Sequence, residues 1–105
     1  MGSIYLATQQ RVGREVAIKT LRAALSDSDE FVDRFMQEAR VTTDISHPHC
    51  VTIHDFGQTD NGILFLAMEL LEGQPLSERM EAAQIGVKQA LQIGVQVSSA
   101  LAAAH

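Results

Sequence analysis

The chain has 105 residues, 46% of them hydrophobic and 20% charged, which fits one small folded domain rather than a disordered segment. Eight Lys and Arg against thirteen Asp and Glu leave a formal charge of −5, which argues against a nucleic-acid-binding face. A single cysteine excludes an internal disulfide framework and suits a reducing, cytoplasmic setting, and neither a membrane span of ~18 apolar residues nor a signal peptide is legible.

In chain order, Ile4 to Thr8 and Val16 to Leu21 are rich in β-branched residues and predict two strands of a hairpin, with Gly13 in the connection available for a positive φ. Asp27 and Glu30 are spaced as a capping-box variant, and acids crowd the first turn of a helix expected over Ser28 to Asp44. That helix should stop before His47-Pro48, because Pro48 disfavours helical geometry in the residue before it. Val51 to Phe56 and Ile63 to Leu70 predict a second strand pair, joined across a segment ending in the turn signal Asn61-Gly62. After Gly73-Gln74-Pro75 a short helix fits Ser77 to Ala83. A long one follows from Val87 to the end, with Leu91, Val95, Ser98, Leu101 and Ala102 on one side. The expected class is α+β: an antiparallel sheet with one helix packed across it, followed by helices.

One charge falls on the apolar stripe of the middle helix. Phe31, Phe35, Thr42 and Ile45 lie −7, −3, +4 and +7 from Glu38, so Glu38 is expected to face inward. A buried lone carboxylate costs several kcal/mol, so it needs a partner or a proton. In Val16-Ala17-Ile18-Lys19 the period of two puts Ala17 and Lys19 on one face, which makes Lys19 the candidate partner. The alternative is that Glu38 lies at the margin of the stripe and Lys19 snorkels to water.

Val16-Ala17-Ile18-Lys19 resembles the third-strand motif of protein kinases, and Glu38 stands where their first large helix carries the glutamate that pairs with that lysine. Met1-Gly2-Ser3-Ile4-Tyr5-Leu6-Ala7 is similar to the close of the kinase glycine-rich loop. His47-Pro48-His49-Cys50-Val51 resembles the link into the fourth strand, and Leu66 to Leu76 resembles the fifth strand and hinge. Each string is weak alone, but their joint order and spacing are specific and cover essentially the whole chain. The resemblance is to the small lobe and first large-lobe helices of a bacterial, eukaryotic-like serine/threonine kinase. It implies a small lobe over 1–71 without its first strand, and hinge exit with large-lobe helices over 72–105.

The resemblance assigns roles residue by residue. Lys19 would hold the α- and β-phosphates of ATP, with Glu38 fixing its ammonium group. Gly2 would let the backbone approach the phosphates, Ile4 and Ala17 would sandwich adenine, and Met68 would gate the depth of the pocket. Backbone groups of Glu69 and Leu71 would bond the adenine edge, independently of their side chains. Ile4, Ala17 and Met68 would equally serve as ordinary core residues in any sheet, so Lys19 and Glu38 are the discriminating pair.

Two patterns are decoys. Asp55-Phe56-Gly57 spells the magnesium-binding tripeptide of kinases but precedes the hinge, where the family's metal ligand does not lie; Asp55 is expected at a strand end. His47, His49, Cys50 and His54 are metal-compatible donors without a zinc-site spacing, so no metal site is expected. The catalytic-loop motif, the true metal-binding tripeptide and the activation segment do not occur in these residues, and the Mg²⁺ ligands of a full-length parent would lie there.

The expectation is therefore a partial kinase domain that carries ATP-binding elements and is inactive by itself. Its parent would phosphorylate Ser or Thr of protein substrates held by the large lobe. Exposed surfaces at the edge strand and on the last helix would favour self-association. The competing class is a noncatalytic, pseudokinase-like nucleotide-binding or regulatory module; a small metal-binding protein built on the histidines is a third.

Overall fold

Two hairpins and one crossing helix build the molecule. The computed structural model describes residues 2–21 and 29–105. In the first hairpin β1 (Gly2–Gln9) runs antiparallel to β2 (Arg14–Leu21). The chain reverses because Gly13 adopts φ 68° and donates its N–H to the Gln9 carbonyl at 2.8 Å. The Arg14 guanidinium closes the same turn on the Gln9 side-chain oxygen at 2.6 Å. The second hairpin pairs β3 (Ile53–Gln58) with β4 (Leu64–Glu69), turning at Gly62 with φ 86°. Thr59 N–H donates to the Ile63 carbonyl and Gly62 N–H to the Thr59 carbonyl, so the Asn-Gly signal is realised as a tight turn.

β4 inserts between β2 and β3, giving one antiparallel sheet in the order β1-β2-β4-β3. The segment between the hairpins carries α1 (Asp29–Thr43), which packs against β3. The expected cap at Asp27 and the expected first residue, Ser28, lie outside the described residues. At the other end Thr42 and Thr43 hydroxyls donate to the Glu38 and Ala39 carbonyls four residues back, competing with continuation of the helix. The chain then tightens through Asp44 N–H to Val41 and Ile45 N–H to Thr42 before reaching Pro48. Two further helices follow, α2 (Leu76–Ala82) and α3 (Val87–Ala104), tied by the Arg79 guanidinium donating to the Gln89 side-chain oxygen at 3.1 Å. The α+β class, the two hairpins and the three helices all stand as expected.

The largest departure is the third strand, which begins at Ile53 rather than Val51. Cys50 N–H donates to the His47 carbonyl, so residues 47–50 form a turn, and the Thr52 N–H meets a side chain instead of a backbone carbonyl. The strand also carries a bulge between Ile53 and Asp55. The core is small: Leu64 is wholly buried, with Val16 and Ala39 the next most enclosed. On α1 the half-buried residues are Phe31, Val32, Phe35 and Met36, with Ala39 fully buried. The apolar stripe is thus centred about one position away from the one the sequence predicts, which leaves Glu38 at its margin.

Candidate nucleotide-binding face

Cross-strand partners in an antiparallel sheet share a face. The register pairs Ile4 with Lys19, Leu6 with Ala17, Ala17 with Met68, Lys19 with Leu66 and Met68 with Ile53. Ile4, Ala17, Lys19 and Met68 therefore occupy one side of the sheet, as their alternation along the strands predicts. Leu66 identifies this side further, because it lines a cavity of about 150 Å³ with Phe35, Glu38, Ala39 and Thr42 of α1. The side that carries Lys19 is the side that α1 covers.

The expected ion pair is not made. Lys19 and Glu38 are both exposed, and among the described residues the one salt bridge joins Arg34 to Glu30 within α1, at 3.6 Å. The reason is geometric. Helix α1 rests on β3, and β2 lies two strands further across the sheet, about 10 Å away at the usual strand spacing. With the stripe centred on Ala39, Glu38 lies at its margin, exposed and still beside the cavity that Leu66 lines. The expected buried pair is corrected to two exposed side chains, in which solvation replaces pairing.

Gly2 opens β1 opposite Leu21, and a Cβ there would collide with the Thr20 carbonyl, so the strands approach this closely only with glycine. At the end of β4, Glu69 N–H donates to the Thr52 carbonyl at 2.9 Å, and the Glu69 carboxylate accepts the Thr52 N–H at 2.9 Å. Sequence reasoning gave Glu69 a backbone role alone; its side chain is also engaged, with a residue 17 positions earlier that no local pattern flags. Leu71 follows in the exposed segment between β4 and α2.

The two decoys have structural occupations. Asp55 lies in β3 opposite Ala67, and its carboxylate accepts the Phe56 N–H at 2.9 Å. Gly57 stands against the Phe65 ring, where a Cβ would come within 3.2 Å of two ring atoms, so the tripeptide's glycine serves sheet packing. His47 accepts the His49 N–H at Nδ1, 3.0 Å away, which keeps its ring proton on Nε2, and Nε2 donates to the Ser99 hydroxyl at 2.9 Å. A histidine with its proton on that nitrogen cannot take one from Ser99, so the contact is a structural tie between the 47–50 turn and α3. Among the described residues no three His, Cys, Asp or Glu side chains converge as a metal site.

The protein kinase domain family matches residues 1–105, the whole length. The chain belongs to the protein kinase domain family. The serine/threonine-protein kinase PknA of Mycobacterium tuberculosis (strain ATCC 25177 / H37Ra) is 36% identical over 110 residues, covering 100% of this chain and 26% of that protein. The serine/threonine-protein kinase PrkC of Bacillus subtilis (strain 168) is 41% identical over 106 residues, covering 100% and 16%. The crystal structure of the Mycobacterium tuberculosis PknI kinase domain superposes with a TM-score of 0.87 at 34% identity, covering all of this chain and 43% of that one. The kinase chain thus spans about a quarter or less of these two curated relatives. Its fold is that of the kinase small lobe with helices following, and no helix among the described residues is long and apolar enough to cross a membrane.

Proposed function

We propose that this kinase segment binds ATP on the sheet face that carries Lys19, and that its parent protein transfers the γ-phosphate to Ser or Thr of protein substrates. The observation that carries the reading is the register that gathers Ile4, Ala17, Lys19 and Met68 on one face, at the end of which the Glu69–Leu71 segment leaves the sheet. Ile4 and Ala17 offer one branched and one minimal surface for a flat ring, and Met68 closes the far end. Lys19, exposed and unpaired among the described residues, is available to phosphate oxygens as a mobile point charge. Gly2 leaves the adjoining backbone open. Glu38 would capture the Lys19 ammonium once α1 moves toward β2.

In this reading residues 1–71 form the small lobe and 72–105 the hinge exit and first large-lobe helices, in a cytoplasmic segment. The Asp and Asn groups that orient a substrate hydroxyl and hold metal do not occur in these residues, so the 105-residue chain would bind nucleotide without transferring phosphate. The exposed apolar side of α3 and the edge strand β1 favour association of the isolated chain with itself.

Calorimetric titration tests the reading: the chain binds ATP, and purified chain with ATP and a protein substrate yields no phosphoprotein. Robust transfer that is lost in Lys19→Met would overturn the inactivity, and absence of ATP binding would overturn the site. The unmade Lys19–Glu38 pair favours a second reading, a pseudokinase-like regulatory module. The gene's downstream sequence separates the two, since a His-Arg-Asp followed by a later Asp-Phe-Gly would restore the enzyme.

A further inference from the structure

An antiparallel pair that exchanges backbone hydrogen bonds normally exchanges two, each N–H meeting the other residue's carbonyl. Thr52 and Glu69 stand opposite each other one step beyond the Ile53–Met68 pair, and only half of that exchange is present. Glu69 N–H donates to the Thr52 carbonyl at 2.9 Å, but Thr52 N–H donates to the Glu69 carboxylate at 2.9 Å, not to the Glu69 carbonyl. The side chain has taken the place of its own backbone oxygen. The geometry points to Glu69 as a positioning residue whose carboxylate satisfies Thr52 and so releases the Glu69 carbonyl from the sheet, leaving it to accept the amino group of a 6-aminopurine.

This inference rests on the nucleotide reading above and adds a specificity device to it. A released carbonyl at the end of β4, next to Met68 on the strand that carries the proposed adenine face, is an acceptor with no donor from Thr52. A 6-aminopurine supplies that donor. A 6-oxopurine presents an acceptor there instead and leaves two oxygens facing each other. Recognition by a polar group rejects the analogue that cannot complete the bond. Truncating Glu69 would hand Thr52 N–H back to the carbonyl, withdrawing it from the purine without altering any residue that contacts phosphate.

The experiment compares ATP with inosine triphosphate on the full chain, unsubstituted and as Glu69→Ala and Glu69→Gln, with inorganic tripolyphosphate as a purine-free probe. The expected result is that Glu69→Ala lowers the preference for ATP over inosine triphosphate by about fivefold, the scale of one neutral hydrogen bond. Tripolyphosphate binding stays unchanged. Glu69→Gln, which keeps an acceptor oxygen for Thr52, retains the preference. In the same samples, the NMR coupling across a hydrogen bond from Thr52 nitrogen to the Glu69 carbonyl carbon is absent in the parent and appears in Glu69→Ala. Equal losses for both nucleotides, or that coupling already present in the unsubstituted chain, would overturn the inference alone. Failure of the unsubstituted chain to bind either nucleotide would overturn the nucleotide site and the inference with it.

Discussion

Lys19 shows how one side chain can be correctly placed and still lack its expected partner. Its face is fixed by the register with Ile4 and Leu66, yet its side chain is exposed and no carboxylate among the described residues lies within salt-bridge range. An exposed lysine adds little to stability, so its energetic role in the proposed site falls on the ligand. Lys19→Met is therefore expected to weaken ATP binding by about tenfold or more, the scale of a hydrogen bond to a charged group. Adenosine, which has no phosphate, should bind both forms alike, and thermal stability should not change measurably. Calorimetry with the two ligands checks this, and an equal loss for adenosine would mean that the substitution had damaged the sheet instead. Glu38→Gln should change neither affinity while α1 remains over β3.

At the scale of elements, the structure is held by a few enclosed contacts. Leu64 starts β4 against Leu21 of β2 and Gln58 of β3, and it is 0% exposed. Leu64→Ala should cost about 2–5 kcal/mol, a large share of the stability of so small a domain. Chemical denaturation would register this as a lower midpoint, whereas Leu76→Ala on exposed α2 should leave the midpoint nearly unchanged. The tie between the 47–50 turn and α3 is weaker. Ser99→Ala should cost about 1 kcal/mol, and nitrogen NMR should identify the Nε2–H tautomer for the uncharged His47 ring.

The hairpins were legible because Gly13 and Gly62 sit where only a positive φ closes the turn, and that signal is local. The strand faces were legible because a period of two leaves one choice of side. The α1 stripe was less so: helix faces blur by a residue, and whether Glu38 or Ala39 faces the sheet depends on which strand the helix rests upon. The start of β3 and the Glu69 carboxylate were not legible at all, since each depends on a contact 17 residues away in the chain.

For the molecule as a whole, the largest unbalanced feature is the outer side of α3. Val87, Leu91 and Val95 recur at intervals of four and are all well exposed, Leu91 at 65% and Val95 at 69%. With Lys88, Gln92 and Gln96 they line a shallow open groove along the helix. An amphipathic helix gains most of its stability from packing that side against something, and an apolar stripe left in water is a surface for association. The side of α3 that is packed meets the 47–50 turn through Ser99 and buries Ala100, so the helix cannot turn its stripe inward without breaking that tie. The 105-residue chain is accordingly expected to self-associate at micromolar concentration in sedimentation velocity. Leu91→Gln combined with Val95→Gln should shift it toward the monomer without lowering the unfolding midpoint, because neither side chain is in the core. A sharp monomer boundary for the unsubstituted chain would show that this face stays solvated, and an unchanged distribution in the double variant would move the contact to β1, where Ile4 and Leu6 are exposed on the edge strand of the sheet.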